Sequence, residues 1–402
     1  MDDTRGAFPT NFLWGAATSA HQVEGNNHND WTEWEKLRRV ARGEHSGVAA
    51  GHYDRYQEDF ALAKQLGHNA HRLSLEWSRI EPRPGFFDPA AIAHYRAVLQ
   101  ELRRLQIEPI VTLWHFTNPI WIARQGGWRN RATVDCYGRY VMAVVQQLGD
   151  LVTYWITINE PTVYSSLSHL LGYWPPEQRN AWAAWGVIRN FVAAHRLGYQ
   201  IIHRHNPEAR VGVANNLSDF LPARPHHLAD KALANFSRFW HNQWWLDQTY
   251  LIQDFIGLNY YFHHPLKFQF RDLRRLLRPQ TSGGKPVSDL GWEIFPVGLG
   301  NVLRWLKKYN RPIIITENGL ADATDAKRAR FIIDHLAQIQ LALDQGIRVK
   351  GYLYWSLLDN FEWREGFKPR FGLIEIDYHT QRRTIRPSAY SYRGIISRNG
   401  LA

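Results

Sequence analysis

Sulfur is scarce in this sequence, with one cysteine, Cys136, and two methionines among 402 residues. A single thiol excludes an intramolecular disulfide and a cysteine-built metal cluster, and the cytoplasm is the expected compartment. No apolar run reaches the roughly 18 to 20 residues that a membrane span requires. The first residues, Met1-Asp2-Asp3-Thr4-Arg5-Gly6, have neither a basic start nor an apolar core, so no secretory leader is expected. No Pro/Gly/Ser-rich linker, low-complexity tract or short-period repeat interrupts the chain. What remains is an ordinary globular composition, 45% hydrophobic and 21% charged.

The net charge is +11, which raises the question of nucleic acid. The basic residues are scattered, however, apart from Arg271, Arg274, Arg275 and Arg278. No zinc-finger, basic-zipper or RNP signature accompanies them, so nucleic-acid binding is not expected. The 18 tryptophans and 18 tyrosines are more informative. Most aromatic rings fill cores, but such rings also stack on the apolar faces of sugars.

Eight short β-like runs recur along the chain: 12–18, 70–77, 109–116, 152–160, 210–216, 254–261, 312–319 and 349–356. Between them lie longer stretches of helical periodicity, including 54–66, 89–105, 133–148, 182–205 and 326–345. Eight strand–helix alternations predict an α/β fold, a single-domain (β/α)8 TIM barrel over residues 1–402. A long basic loop over the barrel mouth is expected at 267–290.

The runs end on polar residues. Pro312-Ile313-Ile314-Ile315-Thr316 reads as a buried strand, yet it stops at Glu317-Asn318-Gly319. The fourth run stops similarly, at Asn159-Glu160-Pro161. His21, Gln22 and Glu24 follow the first run, the second carries Arg72, the third ends in His115 and the sixth in Asn259 and Tyr261. The eighth carries Trp355 and leads to Glu362 and Trp363. In a parallel barrel these ends share one rim. Each has a plain structural reading: Glu317 caps a turn or pairs with a core arginine, Arg72 is a buried counter-ion, and His115 is a satisfied core histidine. Seven of eight ends behaving alike argues for a site.

Two carboxyls facing each other across a pocket of amides, a histidine and tryptophans suit glycoside hydrolysis, in either its retaining or its inverting form. The metal alternative lacks an HExxH pattern, and the His203/His205 and His226/His227 pairs lack matching carboxylates. No Gly-rich phosphate loop follows a strand, and no serine sits in a G-x-S-x-G elbow.

Thr157-Ile158-Asn159-Glu160-Pro161 and Ile315-Thr316-Glu317-Asn318-Gly319 resemble the two signature motifs of glycoside hydrolase family 1, the β-glucosidase family. The stretches 12–25, 254–261, 355–363 and 370–373 agree, so the resemblance spans nearly the whole chain. It implies a retaining exo-β-glycosidase without cofactor or metal, acting on small β-glycosides or oligosaccharides. Glu317 matches the nucleophile and Glu160 the acid/base. Arg72 and Tyr261, with Asn259 beside them, match the nucleophile's supports. Asn159 matches the residue at the sugar 2-hydroxyl. Gln22, His115, Glu362 and Trp363 match contacts to the other hydroxyls, and Trp355 matches the platform under the ring. The acid/base is expected to carry a raised pKa while Glu317 is negative. A charged Glu362 is expected to repel a sugar 6-phosphate, disfavouring the phospho-glycosidase branch. A transglycosylating enzyme and a non-catalytic sugar-binding barrel are the other readings.

Three stretches depart from the family pattern. Phe116-Thr117-Asn118-Pro119 stands where Trp-Asp-Leu-Pro is usual, the segment 237–253 is short, and 267–290 has no motif to align. A thin wall near 237–253 is expected to leave the barrel more open.

Overall fold

The β-branched runs form strands because their side chains can be covered on both sheet faces. In the computed structural model, which describes residues 7–268 and 285–401, they close into a parallel barrel. In chain order the strands are β1 (Leu13–Ala17), β2 (Ala70–Ser74), β3 (Glu108–Thr112), β4 (Tyr154–Asn159), β5 (Arg210–Asn216), β6 (Asp219–Pro222), β7 (Phe255–Asn259), β8 (His263–Leu266), β9 (Ile313–Asn318), β10 (Val349–Trp355), β11 (Ile374–Ile376) and β12 (Arg383–Ile385). The barrel order is β1-β10-β9-β7-β5-β4-β3-β2, with β1 closing the ring on β2 through Gly15↔Ala70 and Ala17↔Arg72. Among the described residues, four strands lie outside the ring: β6 pairs with β8 in parallel, and β11 with β12 antiparallel.

Alternation along the strands divides the barrel interior into layers. One layer is apolar: Ala70, Ile110, Ile156, Ala214, Phe255, Ile314 and Leu353, one residue from each of seven strands, with Leu13 of β1 against them. Two residues further along β2, Arg72 faces the same interior and opens a polar layer: its Nε donates to Thr112 Oγ1 (3.0 Å) and its Nη1 to the Thr316 carbonyl (3.3 Å). The strands' other faces pack on the helices and form the main core.

The helices begin where local chemistry permits. Asp88 caps the helix Pro89–Arg104 by accepting from Ala90 N–H (2.8 Å), with proline at the first helical position. Asn180 caps Ala181–His205 through the N–H groups of Trp182 and Ala183. The other expected helices run His52–Gln65, Ala132–Leu148 and Arg328–Asp344, within about two residues of the expected bounds. Among the described residues, no helix is long and apolar enough to cross a membrane.

The expected opening near 237–253 does not occur. This segment is continuous helix, from Leu228–Arg238 through a π-helical turn, Phe239–Gln243, to Trp244–Thr249. Asn242 clasps the backbone of Ser218 by accepting from its N–H (3.2 Å) and donating to its carbonyl (2.8 Å), which pins the short segment against the rim. Its outer surface nonetheless exposes Phe236, Phe239 and Trp240. Of the expected loop at 267–290, residues 269–284, with Arg271, Arg274, Arg275 and Arg278, lie outside the described residues.

Candidate active site

The strand ends meet around a cavity of about 560 Å³, a size suited to a small molecule. Nine of the eleven residues expected at the site line it: Gln22, His115, Asn159, Glu160, Tyr261, Glu317, Trp355, Glu362 and Trp363. The other two, Arg72 and Asn259, are fully buried and touch the lining residues from behind.

Arg72 is bonded to Glu317 through Nη1 and Oε1, and its Nη2 donates to Asn159 Oδ1 (2.6 Å). The Tyr261 hydroxyl donates to the second oxygen of Glu317, Oε2 (2.8 Å). Asn259 reaches both carboxyls: its Nδ2 donates to Glu160 Oε1 (2.8 Å), and the same amide helps to hold the Glu317 pKa down. Thr316 fixes that amide by donating to Asn259 Oδ1 (2.7 Å). Gly319 is required by packing, since a Cβ there would lie 1.8 Å from the Trp355 carbonyl oxygen.

Glu160 has different neighbours. Asn216 and Asn259 both donate to its Oε1, at 2.9 and 2.8 Å. Asn216 was missed by the sequence reading, although the fifth run ended in Asn215-Asn216 and carried the same polar-end signal as the other seven. Glu160 also adopts the left-handed conformation, φ 44°, which costs a non-glycine residue on the order of 1–2 kcal/mol. Phe116 (φ 71°) and Trp363 (φ 49°) share that conformation and line the same cavity. Such backbone outliers concentrate at functional sites.

The electrostatics separate the two carboxyls. Burial pushes both upward. For Glu160 the negative charge of Glu317 adds to burial, and its pKa reaches about 8. For Glu317 the Arg72 guanidinium and the Tyr261 hydroxyl oppose burial. Where one proton serves two buried carboxyls, it therefore resides on Glu160 and the charge on Glu317.

Glu362 is half-buried, and desolvation with the nearby charge of Glu317 pushes it up to about 8. Gln22 steadies Glu362 by donating from Nε2 to Oε2 (3.3 Å) and is itself fixed by Ser19 Oγ (2.7 Å).

His115 is buried and its pKa lies well below the usual value, with burial as the main cause, so the ring is neutral. Its Nε2 faces Asn159 Nδ2 (3.2 Å), which makes Nε2 the acceptor and leaves the proton on Nδ1, an atom with no protein partner. The unusual sequence after it is well anchored. Thr117 Oγ1 donates to Glu76 (2.9 Å), and Asn118 N–H and Nδ2 donate to Asp30 (2.8 and 2.7 Å). His21 lies outside the lining and stacks on Trp363 at 5.4 Å, held by Glu35 (3.0 Å). Glu24 pairs with Arg79 (2.9 Å) and is structural. Among the described residues, no three His, Cys, Asp or Glu side chains gather as a metal site.

The sequence matches the profile of glycosyl hydrolase family 1 over residues 4–255 and 251–401. Beta-glucosidase A of Thermotoga maritima is 32% identical, the alignment covering 98% of each chain. A solved β-glycosidase from Pyrococcus horikoshii superposes with a TM-score of 0.93 at 36% identity, covering 98% of this chain and 96% of that one. A β-glucosidase from Thermotoga maritima, solved in complex with glucoimidazole, superposes at 0.91 with 30% identity, covering 98% and 99%. With a matching profile across the chain and the same barrel, this protein is a glycoside hydrolase and belongs to glycosyl hydrolase family 1.

Proposed function

We propose that this protein is a retaining exo-β-glycosidase, a single catalytic domain that removes terminal non-reducing β-D-glycosyl residues. β-Glucosides are the first expected substrates, with β-fucosides or β-galactosides alongside. The observation that carries the reading is the unequal treatment of two carboxyls in one cavity: Glu317 is paired with a guanidinium and a phenol, while Glu160 is pushed up to about 8.

In the first step a Glu317 oxygen attacks the anomeric carbon as the bond to the leaving oxygen breaks, and the Glu160 proton passes to that oxygen. The glycosyl ester removes the charge on Glu317, so the Glu160 pKa falls and its carboxylate becomes a base. It then takes a proton from water, the water oxygen attacks the anomeric carbon, and the ester bond to Glu317 breaks. Asn159 serves the 2-hydroxyl, where contacts strengthen most in the transition state. His115 Nδ1–H, Gln22, Glu362 and Trp363 serve the other hydroxyls, and Trp355 lies beneath the ring.

Azide rescue tests the roles separately. Glu317→Ala is expected to lower turnover by on the order of 10⁴- to 10⁶-fold, with azide then yielding an α-glycosyl azide. Glu160→Ala is expected to spare substrates with good leaving groups, with azide trapping a β-glycosyl azide. The opposite pattern of anomers would exchange the two assignments.

A further inference from the structure

Three cations gather behind the turn Trp363–Glu365. A surface cavity of about 610 Å³ opens there, lined by Arg42, Lys368, Arg370 and His379, by the rings of Phe367 and Tyr378, and by one carboxylate, Glu44. Arg42 lies in the 3-10 turn Ala41–Gly43 and pairs with Glu44 (2.6 Å). The Arg370 guanidinium lies over the Tyr378 ring at 4.5 Å, and its Nη1 donates to Asp359 (3.2 Å) and to the Ile376 carbonyl (3.0 Å). Arg386 already holds both oxygens of that Asp359, at 2.9 Å each, so Arg370 shares its counter-ion. Asp377, beside His379, accepts from the backbone N–H groups of His379 (2.9 Å) and Thr380 (3.2 Å). Lys368 is exposed and forms no ion pair among the described residues. A concave surface with more positive than negative charge, in a chain of net charge +11, favours an anion.

The inner wall of this cavity is the back of the sugar-facing residues. Glu44 Oε2 accepts from the Phe367 N–H (2.7 Å), and a Cβ on Gly366 would lie 2.0 Å from the same oxygen, so Glu44 bears directly on the end of the turn. The Gly366 carbonyl in turn accepts from the Glu362 N–H (2.8 Å). Trp363 itself sits in left-handed backbone (φ 49°), a conformation that its surroundings must hold. On the other side the Tyr378 hydroxyl donates to the Asn360 carbonyl (3.1 Å), and Asn360 Oδ1 accepts from Gln22 Nε2 (3.0 Å). A phosphate group, with several acceptor oxygens, can take charge-assisted bonds from Arg42 and Lys368 together. It would then tie the Ala41–Gly43 turn to the chain leaving Trp363, and so brace Glu362, Trp363 and Gln22 from outside.

We infer that the cavity formed by Arg42, Lys368 and Arg370 is an effector site for a small phosphate-bearing anion, and that its occupation tightens sugar binding in the active-site cavity. The coupling rests on the glycosidase reading above, through Gln22, Glu362 and Trp363; the anion site itself does not.

The test uses the intact enzyme in two arms. Calorimetric titration with inorganic phosphate and with phenyl phosphate is run at neutral pH and constant ionic strength, with saturating glucose filling the active-site cavity. Both anions are expected to bind, one per chain, and Lys368→Gln and Arg42→Gln should each weaken them by about tenfold or more. Tighter binding of phenyl phosphate would assign its organic part to the Phe367 and Tyr378 rings, and equal binding would assign recognition to the phosphate group alone. Leaving out glucose should weaken inorganic phosphate by about fivefold, because coupling between two sites is reciprocal. In the second arm phosphate should lower KM for a small aryl β-glucoside by about the same factor with kcat little changed. Both variants lie outside the active-site cavity and should keep the basal kcat while losing this response. No binding of either anion beyond a chloride control, binding unchanged in both variants, or phosphate and sugar affinities that ignore each other would each overturn the proposal. An enzyme that turns over no glycoside would count against the glycosidase reading, and the titrations with and without glucose would still decide this site.

Discussion

At the end of β4, Glu160 sits in left-handed backbone with two amide groups donating to Oε1; at the end of β9, Glu317 continues the strand with a guanidinium on one oxygen and a phenol on the other. Both side chains are buried and share one cavity. Amide donors steady a carboxyl without supplying a full countercharge, whereas a guanidinium supplies one. Residue type therefore settles little. The neighbours decide which carboxyl holds the proton, and with it which one attacks and which one protonates.

Removing the cation should blur this comparison most. Arg72→Met is expected to lower kcat/KM by about 10²- to 10³-fold, the usual cost of losing a preorganised charge-stabilising donor. The acid limb of the pH profile should move upward, because Glu317 loses what opposes its burial. A buried carboxylate left unpaired should also destabilise the fold by about 3–5 kcal/mol, read by chemical denaturation. An unshifted acid limb would separate Arg72 from the ionisation of Glu317.

A second change acts through charge alone. Glu317→Gln removes the negative neighbour, so the pKa of Glu160 should fall from about 8. Carbon NMR of labelled glutamate can follow it, and an unchanged titration would mean that burial alone raises Glu160. In the wild type the same coupling predicts that kcat/KM falls as pH rises past about 8, where the free enzyme loses the Glu160 proton.

The smallest effect concerns Asn216. Its amide favours the ionised form of Glu160, so Asn216→Ala should raise that pKa and shift the basic limb of kcat/KM to higher pH. The loss in rate is expected to stay within about tenfold, since Asn259 still donates to the same oxygen. A basic limb that stays fixed would show that Asn259 alone holds the proton donor.

Much of this arrangement was legible in the chain. Runs such as Ile313-Ile314-Ile315 mark buried strands through composition, and polar residues at their ends mark the rim of a parallel barrel. The ribbon formed by β6 and β8 was not legible: four-residue strands such as His263-His264-Pro265-Leu266 show neither apolar alternation nor a turn signal. The upward push on Glu362 was equally hidden, because it depends on Glu317, a neighbour created only by closure of the barrel. The contact from Arg72 to Glu317 spans 245 positions and no local pattern announces it. The packing of 237–253 was hidden too, because it is set by tertiary placement: Asn242 bonds to Ser218, Arg238 donates to the Phe220 carbonyl, and Trp245 and Leu246 are buried.

The central claim is that Glu317 forms the bond to sugar. A 2-deoxy-2-fluoro-β-glucoside with a good leaving group slows both steps and allows the glycosyl-enzyme to accumulate. Proteolysis and mass spectrometry of the trapped protein should find one fluoroglucosyl unit on the peptide containing Glu317, absent from the Glu317→Gln variant. A label on the Glu160 peptide, or steady release of product without any trapped adduct, would contradict the account.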